Sequence, residues 1–209
     1  MASPLTALGT TNCWRMISWD STTWANICAG AGVGKETPKE YFTFGSYYTA
    51  GPYYEANTAC LEFDTSSIGA SSTVTAVVLS LWGANTGPAQ AFEAQVKAYD
   101  YGTDIEAGDW RTPTQFAALT TLATLAVPGD SSVSTVAYTP FTSNGNFAAA
   151  INKTGLTRLI INSDRFAAST QPSSSERLPT WIDTTSGKEP KLVVTYTELA
   201  FLTVTHRVG

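Results

Sequence analysis

The sequence predicts an all-β fold: two antiparallel sheets packed face to face, with one short helix near 146–153. Three observations carry this. Ala59–Trp82 (ACLEFDTSSIGASSTVTAVVLSLW) sets a polar Asp-Thr-Ser-Ser-Ile-Gly-Ala-Ser-Ser turn between two apolar runs, each long enough for a strand and too short for a good helix. Phe92–Tyr101 (FEAQVKAYDY) alternates, with Phe92, Ala94, Val96 and Ala98 on one side and Glu93, Gln95, Lys97 and Tyr99 on the other, the pattern of a half-exposed strand. Ser, Thr, Gly and Ala are abundant while charged residues make up only 14%, too few for the surfaces of a helical bundle.

In chain order, residues 1–35 read as an irregular Trp/Gly-rich segment, with a short strand around Ile17 and Trp19 and a flexible Gly/Ala run at Ala29–Gly34. Residues 36–197 read as the sandwich domain. Glu40–Tyr48 and Ala56–Phe63 are strands around the turn pair Gly51-Pro52, and the tyrosines Tyr47, Tyr48, Tyr53 and Tyr54 fall on the connecting loop. The two runs of Ala59–Trp82 follow; Val74, Val77 and Val78 are β-branched, as a pleated surface favours. After Phe92–Tyr101 come Trp110 and Pro113, then Phe116–Leu125 as a helical turn or irregular cover, and Ser134–Phe141 as a strand.

Asn144–Lys153 is the best helix, because Ala148–Ala150 favour helix, Phe147 and Ile151 share a face, and Gly155 stands just beyond as a stop. Thr157–Ser163, Leu178–Thr184 and Lys191–Thr197 are strands, with Pro190 before the last. Leu61, Phe63, Leu79, Leu81, Leu159, Ile161 and Val193 are the expected core. Residues 198–209 alternate again and form a further strand or interaction tail.

Charge and motifs narrow the chemistry. A net charge of −5 argues against nucleic acid, and no apolar run is long enough to span a bilayer as a helix. The N-terminus has neither the basic nor the apolar region of a signal peptide. Three cysteines, Cys13, Cys28 and Cys60, are an odd number, which suits reducing conditions and small buried hydrophobes; a Cys13–Cys28 bridge stays open. The glycines of Ala29–Gly34 lack the strand–helix context of a phosphate loop, so no cofactor is implied.

No catalytic set is visible. The sole histidine, His206, lies in the terminal segment, no Cys-x-x-Cys pair suggests a metal, and the acids Asp100, Asp104, Glu106 and Asp109 read as a solvated loop. Aromatic rings are the strongest recognition candidates: Tyr47, Tyr48, Tyr53, Tyr54 and Trp110 for a glycan or an interface. Trp14, Trp19 and Trp24 at one end, and Phe201, Leu202 and Val204 at the other, are candidates for assembly contacts.

LEFDTSSIGASSTVTAVVLSLW resembles the F-D-x-S-S-I-P-x-G-A-T-V-T-x-A-x-L-S-L hallmark of DNRLRE-type (disaggregatase-related) β-sandwich domains. AAAINKTGLTRLIINSDRF and KEPKLVVTYT resemble their later helix–strand segment and their closing strand, so the likeness spans roughly residues 12–197. Gly69 replaces the usual proline of the turn, and 198–209 falls outside the pattern. The resemblance implies a jelly-roll-like sandwich related to carbohydrate-binding modules, of a kind also found in phage virion proteins. The expected function is therefore a non-enzymatic virion structural protein, a capsid decoration, cement or tail component in a homo-oligomer with other virion proteins. The alternative is a carbohydrate-binding module or cell-surface adhesin that binds polysaccharide outside the cell.

Overall fold

The computed structural model describes residues 2–10, 12–20, 23–30, 33–36, 41–50, 53–84, 88, 90–129, 133–182 and 187–198. Thirteen strands and four short helices are built from them in this order: β1 (Ala2–Leu8), β2 (Trp14–Asp20), α1 (Trp24–Ala29), β3 (Gly34–Glu36), β4 (Tyr41–Thr49), β5 (Tyr53–Asp64), β6 (Thr73–Leu81), β7 (Phe92–Ala98), α2 (Pro113–Ala118), β8 (Thr121–Val127), β9 (Thr139–Pro140), β10 (Thr142–Ser143), α3 (Asn146–Ala150), β11 (Leu156–Ser163), α4 (Asp164–Ala167), β12 (Leu178–Trp181) and β13 (Lys191–Thr197). A small sheet runs β1-β13-β6-β9. A large one runs β10-β8-β7-β11-β5-β2-β3, with β4 paired to β5 and β12. Every pairing is antiparallel, and the two sheets form the expected all-β sandwich.

The sandwich interior takes alternate residues of both sheets. Ala59, Leu61 and Phe63 of β5, Leu159 and Ile161 of β11, and Leu79 and Leu81 of β6 all face it and are buried. α3 adds Phe147 at one end. Val193 differs from the expectation. It pairs with Val78 on the outer face and is half-buried, while Leu192, Val194 and Tyr196 point inward. Leu-Val-Val has apolar residues in both phases, so alternation alone does not choose the face.

The large sheet is covered on its other side as well. Tyr54, Ala56 and Cys60, the complementary residues of β5, join Met16, Trp24, Ile27, Tyr101, Ile105, Trp110, Phe116, Ile160 and Phe166 in a second buried cluster under α1, α2 and α4. The helix expected alone near 146–153 therefore has three companions. Each is capped by a side chain: Thr23 accepts from Asn26 N, Thr112 from Gln115 N, and Ser163 from Phe166 N.

Three local expectations change. Residues 1–35 are not irregular, since β1 and β2 are full members of the small and large sheets. β1 (ASPLTAL) has weak strand chemistry and takes its shape from seven paired residues of β13. Second, Phe116–Leu125 splits into α2 and the start of β8, whose partner β7 lies upstream. Third, Tyr47, Tyr48, Tyr53 and Tyr54 lie on paired strands rather than on a loop. Residues 199–209, and with them the expected terminal strand, lie outside the described residues.

Candidate functional site

The carboxylates that could organise chemistry are tied to arginines. Glu62, on the outer face of β5, is almost fully buried and accepts hydrogen bonds from Thr10 Oγ1 (2.9 Å), Asn12 Nδ2 (3.2 Å) and Arg158 Nε (2.8 Å). Arg158 also reaches Asp100 (2.8 Å). The Gly102 N–H and Arg158 together hold the Asp100 carboxyl below its usual range. Glu176 is fully buried against Arg165 Nε (2.6 Å); burial pushes its carboxyl up and the guanidinium opposes this. Glu55 pairs with Arg177 (3.3 Å) and accepts from Asn57 Nδ2 (2.8 Å). Glu106 and Asp109 cap one another's backbone across a single 3-10 turn, and Tyr99 donates to Asp109. Among the described residues no group of three His, Cys, Asp or Glu side chains could hold a metal ion.

The cysteines are unbonded. Cys13 lies in the sandwich core and Cys60 in the outer cluster. Burial pushes the Cys13 thiol up to about 12 and the Cys60 thiol higher still. A thiolate is the reactive form, so both are inert in the folded chain. Native labelling with iodoacetamide at neutral pH should modify Cys28 alone, slowly, with Cys13 and Cys60 reacting only in denaturant. Mass spectrometry of the labelled peptides checks this, and rapid native labelling of Cys60 would show the outer layer to be open.

The hairpin sorts its tyrosines by face. Tyr48 and Tyr54 stack at 5.1 Å toward the second cluster, where Tyr54 is buried beside Trp24 (6.2 Å). Tyr47 and Tyr53 meet edge to face at 6.4 Å on the opposite side, where the Arg177 guanidinium stacks 4.0 Å from the Tyr47 ring and also pairs with Glu55. Trp110 is buried against Phe166 (5.7 Å), so it is a core residue and not a recognition surface. Trp24 is likewise core, its Nε1 donating to Ser169 O (3.0 Å). Trp14 is half-buried beneath Lys35 (5.1 Å), and Trp19 remains 44% exposed. Phe201, Leu202 and Val204 lie outside the described residues. Large aromatic residues carry no mark of core or surface in their sequence, since both environments favour them.

The surface that sequence reading missed is the outer face of the small sheet. Cross-strand rows Leu8–Lys191–Ser80–Pro140, Thr6–Val193–Val78, Pro4–Thr195–Ala76 and Ala2–Thr197–Thr73 lie side by side. Leu8 is 46% and Val78 38% exposed, and Ala2, Pro4, Thr6, Thr73 and Ala76 are exposed too. Lys191 is the one charged side chain in these rows. The large sheet hides its outer face under helices, whereas most of this one stays exposed or half-exposed, with Ser80 buried at the Lys191 end where Tyr138 packs. Comparison with protein-family models finds none that matches this chain, and comparison with curated proteins finds no match either.

Proposed function

We propose that this chain is a non-enzymatic structural subunit of a virion, a decoration, cement or tail component, that binds a neighbouring protein subunit through the outer face of its small sheet. The observation that carries this reading is the row of small, uncharged residues from β1, β13 and β6. On an acidic chain, it is the surface where another subunit can approach without like-charge repulsion. With three strands about 4.8 Å apart and seven paired positions at about 3.3 Å each, the face covers roughly 330 Å². That is below the roughly 800 Å² per partner of a stable isolated complex, so such a contact holds through repetition in a lattice. The resemblance to sandwich domains found in phage virion proteins supports the same reading.

The test is co-sedimentation with shells of the virus that encodes the chain, prepared without it. The wild-type protein is expected to bind, and Val78→Glu, which places a charge in the centre of the face, to lose binding with its melting temperature nearly unchanged. Equal binding by the variant would exclude this face, and no binding by the wild type would exclude the virion reading. A carbohydrate-binding role is the second reading, favoured by Tyr47, Tyr53, Glu55 and Arg177 converging at one corner. Polysaccharide retention that is lost on Tyr53→Ala would favour it.

A further inference from the structure

Most cations among the described residues are held by carboxylates or backbone carbonyls. Arg15, Arg158, Arg165 and Arg177 pair with carboxylates. Lys97 is buried on Leu119 O and Thr121 Oγ1, and Lys153 donates to Ala70 O and Ser72 O. Four cations lie over rings instead: Lys35 over Trp14 and Arg111 over Tyr99 stand singly, while Lys188 and Lys191 stand together. Neither Lys188 nor Lys191 has a carboxylate partner among the described residues. Lys188 Nζ lies 4.7 Å from the Trp181 ring and 5.6 Å from Trp82, and Lys191 Nζ lies 3.9 Å from Tyr138. Trp82 and Tyr138 meet edge to face at 5.2 Å. Two of the rings are held by hydrogen bonds: Trp82 Nε1 donates to Thr135 O (2.9 Å) and Tyr138 Oη to Glu189 O (3.0 Å). The result is a half-exposed corner of three aromatic rings and two ammonium groups, with the buried Glu189 carboxylate beside Tyr138.

On the other side of the molecule, the loop Asp100–Asp109 carries four carboxylates. Its Tyr101 and Ile105 anchor it on the second cluster, outside the large sheet, while Asp104 and Glu106 are exposed. Among the described residues only Asp100 of these four acids has an arginine partner. The cationic corner extends from β6, β12 and β13 instead. One copy therefore presents the two charged features on different sides.

We propose that the Trp82–Tyr138–Trp181 corner, with Lys188 and Lys191, docks the acidic loop Asp100–Asp109 of a second copy of this chain. This goes beyond the sheet-face contact and rests only on the reading of the chain as an assembly subunit. The contact is head-to-tail, so repeated use builds a ring or an extended array. Charge complementarity selects the occupant: the ammonium groups already sit on the ring faces, so a carboxylate-bearing segment fits better than a neutral sugar that needs a bare ring to stack on. The contact is small and electrostatic, so it is weak and salt-sensitive.

The experiment is sedimentation equilibrium in an Ala76→Glu background, which charges the sheet face two rows away from Lys191. Self-association is expected at about 0.01 M salt, where the screening length is about 30 Å, and not at about 1 M, where it is about 3 Å. Lys188→Glu with Lys191→Glu should weaken it about tenfold or more, as should Thr103→Lys with Asp104→Lys, which leaves the Glu106–Asp109 cap intact. An equal mixture of the two variants should associate again, because the reversed charges complement each other. Failure of the mixture to associate, or a wild-type corner that stays monomeric at low salt, would overturn the contact while leaving the sheet-face reading untouched. Binding of a uronate polymer at the corner without self-association would also overturn it.

Discussion

Gly45→Ala should cost at least about 4 kcal/mol, or prevent folding outright. Gly45 has φ +99°, where an L side chain is strained by about 1–2 kcal/mol. A Cβ built there would lie 2.3 Å from the carbonyl oxygen of Glu176. That carbonyl has little room to retreat, because the Glu176 N–H donates to Ser46 O (2.8 Å) and its buried side chain is paired to Arg165. The position is also where β4 changes partner: Tyr41–Phe44 pair with β12, and Gly45–Thr49 pair with β5. A collision at this corner loosens both pairings at once. Chemical denaturation with the unfolding slope held constant measures the loss. A cost under about 1 kcal/mol would mean that the corner yields and that β4 tolerates a different bend.

Phe166→Ala should cost about 3–5 kcal/mol, from the outer layer rather than the sandwich. Phe166 is fully buried on α4, with ring centroids 6.4 Å from Trp24, 5.7 Å from Trp110 and 6.0 Å from Phe116. It thus meets residues of α1 and α2 and Trp110, the residue that follows the acidic loop. A four-residue helix is not stable by itself, so α4 persists through its Ser163 cap and this packing. Removing the ring leaves a cavity between elements that share few contacts with the sandwich core. Hydrogen exchange should show amides of α1 and α2 losing protection while β6 and β13 keep theirs, and tryptophan emission should shift to the red. Uniform loss of protection across both sheets would show the two layers to be a single cooperative unit.

Within the sandwich, much was legible from local spacing. Leu61, Phe63, Leu79 and Leu81 announce their face because polar residues and a tight turn set the phase around them. α3 declares itself through Ala148–Ala150 and Phe147. The candidate interface was not legible. Ala2, Pro4, Thr6 and Leu8 read only as part of an irregular N-terminal segment until the pairing of Thr6 with Val193 and of Val193 with Val78 places them on one surface. The cationic corner is equally hidden, since Trp82, Tyr138 and Trp181 are far apart in the chain.

What the sequence by itself determined is the class of the fold and the inward phase of β5, β6, β7 and β11, because alternation, β-branching and turn residues act over a few neighbouring positions. Tertiary structure alone decided three things. It buried Trp24, Tyr54 and Trp110 in a second layer, it turned β4 at Gly45, and it left most of one sheet face exposed or half-exposed. Each depends on pairing between residues distant in sequence, where a ring or a methyl is equally at home in a core, at a corner or on a surface. Only the element packed against it distinguishes these environments.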